Sequence, residues 1–265
     1  MLHRMPRVTT EVAEVRRESA EAVTLRLDLG GQAFSYRPGQ YVIIDPHQFG
    51  ALAAALHARE AERGKPEGPG YYALSSDGLT PSSLEITVKA KRDGASRSPL
   101  PGWLAGGIGA GERVVLEGPG GRYALPEDPP AGVTGFLHLC AGSGVSPNRG
   151  MIRHALGRGW PQRHLLIVQD RAEGDALFGA EWEALWGRHP DRFRLRSVFS
   201  RAGTGEYMGE DLVRGEMAGW LEAAATMAFL CGPNLFRSGR PGFCERMAAV
   251  AGALGIAPGR VLSPA

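Results

Sequence analysis

Cysteine is scarce. The 265 residues hold three, Cys140, Cys231 and Cys244, and no C-x-x-C pair. That excludes a disulfide framework and a zinc ribbon, and a chain-borne iron–sulfur cluster would need four thiolates. No metal site is expected, and a reducing, cytoplasmic setting is the default. Charge of one sign is also lacking. Lys and Arg total 30 against 28 Asp and Glu, a net charge of +2. So balanced a chain offers no basic field to nucleic acid or an anionic membrane. No run approaches the roughly 18 apolar residues that a membrane span needs. The opening MLHRMPRVTT has no apolar h-region, so no secretory signal is expected. Internal repeats and low-complexity tracts are absent.

What is present is an ordinary apolar fraction, 43%, enough for a full core without staples. The pattern changes near residue 130. Before it, short segments rich in Val, Ile, Tyr and Thr alternate with turns: VTTEVAEVRR, AVTLRLDL, QYVIID, YYALSS, SLEITVKA and RVVLEG. Six such strands without long helices suggest a small antiparallel barrel. After it, strand-like TGFLHLC, HLLIVQD, FRLRSVF and TMAFLC are separated by helix-like NRGMIRHALGRG, AEWEALWGR, EDLVRGEMAGWLEAA and CERMAAVAGALG. Repeated βα of this kind gives a parallel sheet covered on both faces. The proline-rich LPEDPPAGV, residues 125–133, is a natural boundary. We therefore expect one domain over 1–128 and a second over 133–265. FGALAAALHAREAERGK, residues 49–65, consists of good helix formers inside the strand-rich half. It reads either as a surface helix or as a lid or partner platform.

The stretch CAGSGVSPN, residues 140–148, packs two glycines, two serines and a proline between a strand and a helix. A helix start leaves N–H groups unpaired at the positive end of the dipole, a ready anion site. Gly142 and Gly144 let the backbone approach a phosphate. Ser146 suits the N-cap and Pro147 the first helical position. The same residues also make an ordinary βα turn. The loop is neither a P-loop, having no G-K-[ST], nor the full G-x-G-x-x-G, because Pro147 stands at the third glycine. A second loop, Cys231–Gly232–Pro233, ends the last clear strand, at the sheet edge where open α/β sheets bind ligands.

Eight segments fall in the order found in the ferredoxin–NADP reductase family, which the chain resembles over nearly its whole length. They are FSYRPGQYVIID (34–45), YYALSS (71–76), LEITVKA (84–90), GERVVLEGPGGRY (111–123), CAGSGVSP (140–147), LLIVQDR (165–171), VFSR (198–201) and CGP (231–233). The resemblance implies a six-stranded antiparallel β-barrel that binds FAD, then an α/β doubly wound parallel five-stranded sheet that binds NADPH or NADH. It implies hydride passing from NAD(P)H to non-covalent FAD, then single electrons to a separate ferredoxin or oxygenase component. By the same resemblance Gly142, Gly144, Ser146 and Pro147 hold the pyrophosphate. Cys231, Gly232 and Pro233 border the nicotinamide, with Cys231 non-nucleophilic. Arg171, Ser200, Arg201 and Tyr207 meet the adenosine end, and Ser200–Arg201 favours NADPH.

The flavin half departs from the family pattern. The family's R-x-Y-S is here Gly70–Tyr71–Tyr72–Ala73. Tyr72 keeps the stacking position, Gly70 replaces the phosphate-binding Arg, and Ala73 replaces the Ser near the reactive nitrogen. The G-x-x-S motif that follows aligns either with Pro101 or with Gly94–Ser96. Leu74, Ser75, Val88, Lys89, Arg97 and Ser98 are the remaining expected flavin contacts, with Lys89, Arg92 or Arg97 candidates for the missing charge. Two readings follow: a flavin-dependent NAD(P)H reductase, with Tyr72, Ala73 and Cys231 at the reacting centre, or a non-catalytic nucleotide-binding subunit whose flavin site has decayed.

Overall fold

The computed structural model describes residues 5–90, 98–201, 205–233 and 241–264. Six strands form one antiparallel sheet: β1 (Arg7–Arg17), β2 (Ala22–Asp28), β3 (Tyr41–Ile44), β4 (Gly70–Ala73), β5 (Ser83–Lys89) and β6 (Arg113–Gly120). Their order is β4-β3-β6-β1-β2-β5. A bridge between Leu74 and Ile86, with the Ser75 N–H on the Glu85 carbonyl, joins the two outer strands and closes the barrel. Alternation dictates the inward set. Val8 and Val12 from β1, Leu25 and Leu27 from β2, and Leu84, Ile86 and Val88 from β5 all lie buried in one cluster.

The 49–65 segment supplies a plug for this barrel. Helix α1 (Ala53–Arg63) is exposed along most of its length, but Leu52, Leu56 and the preceding Phe49 enter the barrel cluster. Phe49 meets Trp103 of helix α2 (Leu100–Gly106) with ring centroids 4.1 Å apart. One face is thus core and the other surface, and the segment serves as a barrel cap.

The second sheet is parallel: β7 (Gly135–Ala141), β8 (Arg163–Asp170), β9 (Phe193–Phe199), β10 (Thr226–Cys231) and β11 (Val261–Leu262), in the order β11-β10-β7-β8-β9. Every residue of β7 is buried, as a central strand covered on both faces requires. Helices α3 (Val145–Gly157) and α4 (Gly179–Arg188) pack on Cys140, Leu166 and Val168. On the opposite face, α5 (Glu210–Met217) and α6 (Phe243–Ala253) pack on Leu137, Leu139 and Leu230. Helix α5 is shorter than its sequence pattern predicts. It stops at Met217 because Gly219 turns left-handed (φ +66°) and Trp220 folds back to donate to the His164 carbonyl. Among the described residues no helix is long and apolar enough to cross a membrane.

Candidate functional site

β7 delivers its chain to a 3₁₀ turn, Gly142–Gly144, which runs directly into α3. Gly142 is left-handed at φ +55°, and the space a Cβ there would enter is open. Gly144 has the opposite constraint: a Cβ would land on the Cys231 carbonyl. Only glycine lets the two loops touch, so the first and last of the sheet's clear strands make one continuous edge. The expected N-cap moves. Gly144 caps α3, Ser146 stands second in the helix and Pro147 third, still within the first turn where no N–H partner is lost. Ser146 is 2% exposed, and its Oγ has no hydrogen-bond partner. An orphaned hydroxyl costs about 1–3 kcal/mol, so its survival at this edge fits a group kept for a ligand.

A buried polar chain holds the loop from beneath, and sequence reading gave no hint of it. Asn148 Nδ2 donates to the Gly144 carbonyl at 3.1 Å and to the Tyr123 hydroxyl at 2.9 Å. Asn148 Oδ1 accepts from His138 Nδ1 at 2.8 Å, and His138 Nε2 lies 3.2 Å from His164 Nδ1. The two imidazoles stack 8° from parallel. Burial pushes His138 down to about 4 and His164 well below its ordinary value, so both are neutral. That fixes the tautomers: His164 Nδ1–H donates to His138, and His138 Nδ1–H donates to Asn148.

Cys231 is half-buried, and burial followed by the neighbouring Cys244 pushes its thiol up to about 12. A protonated thiol is no nucleophile. A Cβ on Gly232 would strike the Phe243 ring, and the Pro233 carbonyl accepts the Phe243 N–H at 3.3 Å. The loop is thereby seated on the start of α6.

At the far end of the edge, Arg171 and Arg201 are exposed, and the Arg201 N–H bonds the Arg171 carbonyl at 2.8 Å. Ser200 is half-buried, and its Oγ donates to the Asp170 carbonyl at 3.3 Å. Tyr207 is 68% exposed. Glu206, beside it, is tied by both carboxylate oxygens to Arg196 at 2.8 Å. The structure adds Asp170, which lies within LLIVQDR but is not itself among the expected contacts. Burial pushes its carboxyl up to about 6, with Lys89 of the barrel pulling it down and Asp175 pushing it up. Lys89 on β5 is thus near enough to Asp170 for its charge to be felt there.

In the barrel half Tyr72 is half-buried against the core cluster, and burial raises its hydroxyl well above the ordinary tyrosine range. Its ring edge lies over Gly70: a Cβ there would come within 2.6 Å of Tyr72 Cε2 and 3.0 Å of Leu100 Cδ2. Ala73 pairs with Tyr41. The structure corrects three expected contacts. The side chains of Leu74, Ser75 and Val88 point into the barrel, because alternation along β5 and the bridge at Leu74 turn them inward. Ser75 Oγ accepts from Thr87, and the N–H groups of Leu74 and Ser75 are bonded to the carbonyls of Gln40 and Glu85. Ser98 Oγ receives the Leu100 N–H at 3.4 Å, at the start of α2. Pro99 and Pro101 flank that start and have no N–H to offer a phosphate. Arg92, Arg97 and the Gly94–Ser96 stretch lie outside the described residues.

Residues 139–239 match the model of the oxidoreductase NAD-binding domain family. Over 234 residues the chain is 28% identical to the 3-ketosteroid-9-alpha-monooxygenase ferredoxin reductase component of Mycolicibacterium smegmatis, covering 85% of this chain and 58% of that protein. It is 31% identical to an NADPH oxidoreductase of Mycobacterium tuberculosis, over 71% of this chain and 44% of the other. The chain thus spans about half the length of the curated relatives it matches. Among solved structures, the cytochrome b5 reductase domain of Ulva prolifera nitrate reductase superposes with a TM-score of 0.73 at 18% identity, covering 97% of each chain. The ferredoxin–NADP+ reductase of Plasmodium falciparum does so at 0.72 and 15%, covering 97% of this chain and 95% of that one. These two likenesses are of fold.

Proposed function

We propose that this chain, which is similar to ferredoxin reductase components and carries an oxidoreductase NAD-binding domain match, is a flavin-dependent NAD(P)H reductase. It passes electrons to a separate acceptor, a ferredoxin or oxygenase component, in the cytoplasm. Residues 1–128 are the flavin domain and 133–265 the nucleotide domain. The observation that carries the reading is the shared edge: Gly144 closed on the Cys231 carbonyl, Gly142 open beside it, and the Ser146 hydroxyl buried and unpaired in the first turn of the helix that follows. Such an edge suits a pyrophosphate on Gly142–Pro147, a nicotinamide against Cys231–Pro233, and an adenosine end at Arg171, Ser200, Arg201 and Tyr207.

The barrel residues fit a flavin ring better than they fit its phosphates. Tyr72 offers a half-buried ring face and Ala73 a small neighbour, and Lys89 supplies one cation. Gly70, Pro99 and Pro101 withhold the guanidinium and N–H groups that a diphosphate wants. When bound, a flavin supplies the conversion of a hydride into single electrons. The protein's part is to seat the dinucleotide along the edge, keep Cys231 protonated and inert, and exclude water. Three free cysteines suit the reducing compartment.

The phosphate-end deficit favours a second reading, a nucleotide-binding subunit without flavin. The experiment that separates them is the visible spectrum of the purified protein, with titrations of FAD, FMN and NAD(P)H. A yellow protein bleached by NAD(P)H supports the reductase. A colourless one that binds NAD(P)H and ignores both flavins replaces it with the second reading.

A further inference from the structure

Arg149 lies on the second turn of α3, is 2% exposed, and belongs to neither loop nor to the flavin strand. Its guanidinium is divided between the two halves. Nη1 stands 2.5 Å from Glu85 Oε2 on β5 and donates to the Ser75 carbonyl at 3.0 Å. Nε and Nη2 reach the Glu181 carboxylate of α4 at 2.9 and 2.7 Å, and the Phe178 ring lies 4.7 Å away. Arg16 approaches Glu85 at 3.4 Å, and Arg153 binds Asp77 at 2.9 Å. Three cations therefore face three carboxylates. Burial alone would raise Glu85, but Arg149, Arg16 and Arg153 outweigh it and hold the carboxyl below its usual range.

The main chains also touch here. A Cβ on Gly150 would land on the Ser76 carbonyl, and His154 Nδ1 lies 2.7 Å from the Asp77 carbonyl. Along the helix Arg149 is five residues from Gly144, about 7.5 Å at the α-helical rise. Along the barrel strand, Ser75 is three residues from Tyr72. One guanidinium on α3, the helix that follows the glycine loop, is thus bonded to the segment that follows Tyr72 through the Ser75 carbonyl and to β5 through Glu85. Its planar fork serves three acceptors in fixed directions, which a lysine cannot do.

We propose that Arg149 is a positioning residue, clamping the Tyr72–Ser75 segment to α3 at the separation that hydride transfer across the cleft requires. The proposal rests on the reductase reading. Misplacement of about 1 Å can cost a hundredfold in rate while leaving both binding sites whole.

The test uses the full chain loaded with FAD, as Arg149→Lys, Arg149→Met and Glu85→Gln. Arg149→Lys is expected to keep FAD content and NAD(P)H affinity within about threefold, while stopped-flow flavin reduction slows roughly tenfold or more. The flavin midpoint potential should not move, and Glu85→Gln should act in the same direction more weakly. Calorimetry gives a readout independent of activity: one cooperative transition in the wild type and two in Arg149→Met. A wild-type reduction rate in Arg149→Lys would overturn the proposal. So would a loss of FAD content with an unchanged rate per bound flavin. If the wild type holds no flavin that NAD(P)H reduces, the reductase reading has failed, and calorimetry alone decides the clamp. A single unshifted transition in Arg149→Met then removes it. Should Arg149→Met not fold, Arg149→Lys and Glu85→Gln carry both readouts.

Discussion

The two halves of this molecule treat their ligand-facing residues differently. At the nucleotide edge each anomaly has a use: a glycine packed on a carbonyl, a left-handed glycine facing open space, a hydroxyl buried with no partner. At the barrel the corresponding places are already filled. Tyr72 lies over Gly70, the Leu74 and Ser75 N–H groups are spent within the barrel, and prolines occupy the start of α2. One half leaves open space and an unpaired hydroxyl at its loops, while the other fills the corresponding places with its own packing. The molecule should therefore hold a nicotinamide dinucleotide more dependably than a flavin.

The largest expected effect tests the nucleotide edge. Gly144→Val puts a side chain on the Cys231 carbonyl, a backbone atom that cannot swing aside. Overpacking of that kind costs about 3 kcal/mol, roughly a hundredfold in NAD(P)H affinity by fluorescence titration. Gly142→Ala meets nothing within 4 Å and bears only the strain of φ +55°, so its effect should be near 1 kcal/mol. Equal losses in the two variants would show that the loops are not locked together.

Acid should then test the buried pair beneath the glycine loop. His138 is held neutral by burial, at about 4 against an ordinary 6.5, and His164 is pushed down as well. The unfolded chain binds protons that the folded one refuses, so this stability is complete above pH 6.5 and lost as pH falls toward 4. Between pH 7 and 5 the loss from His138 is about 2 kcal/mol in urea unfolding, and His138→Phe should flatten it. Within the barrel the groups differ in sign: the lowered Glu85 carboxyl also loses stability in acid, whereas His47 runs the other way. Glu60, then Asp45, raise the exposed His47 above its ordinary value, so its small contribution is present at acid pH and fades as pH rises. An acid-stable nucleotide half would contradict the buried neutral pair.

How much of this the sequence disclosed follows the same division. The change of period near residue 130 announced both sheets, because strand alternation and βα repetition are local patterns. The two nucleotide loops were legible because each packs its chemistry into a few consecutive residues. Arg149 was not, since its meaning lies in Glu85, 64 residues away, and in Ser75. The His138–His164 pair reads simply as residues of hydrophobic strands, and only the pairing of β7 with β8 sets the two imidazoles together beneath Asn148. That the Leu74 and Ser75 N–H groups bond Gln40 and Glu85 was not legible, because barrel closure is a long-range event. The shortness of α5 was in principle visible in Ala218–Gly219, where a left-handed glycine ends the helix.

A smaller effect concerns which dinucleotide is taken. Ser200 and Arg201 stand at the end of the edge, with Tyr207 exposed and the charge of Glu206 tied to Arg196. With that repulsion neutralised, a guanidinium and a hydroxyl favour a 2′-phosphate. Arg201→Ala should weaken NADPH roughly tenfold, the low end for a charge-assisted hydrogen bond, and leave NADH unchanged. Steady-state kinetics with both cofactors reads this directly, and a loss shared equally would remove the preference.

The smallest effect tests the barrel's deficit by repairing it. A guanidinium at position 70 would restore a contact worth about 1.5–3 kcal/mol to a flavin phosphate. The new side chain cannot enter freely, because its Cβ would lie 2.6 Å from Tyr72 Cε2 and 3.0 Å from Leu100 Cδ2. Both are ends of flexible side chains, so the ring can rotate away, at a cost of order 1 kcal/mol for an off-rotamer side chain. The net gain expected for Gly70→Arg is therefore only a few-fold in FAD affinity. Gly70→Arg with Leu100→Ala relieves one of the two contacts, but Leu100 is 1% exposed in the barrel core, and its loss would cost about 2–5 kcal/mol of stability. The single variant is the cleaner probe, read by FAD titration beside Gly70→Ala, which carries the same crowding without the charge. Tighter binding in Gly70→Arg and weaker in Gly70→Ala would separate the missing charge from the occupied space. Equal weakening in both would mean that Tyr72 is fixed where it lies and that the barrel has lost room for the phosphate as well as the cation to hold it.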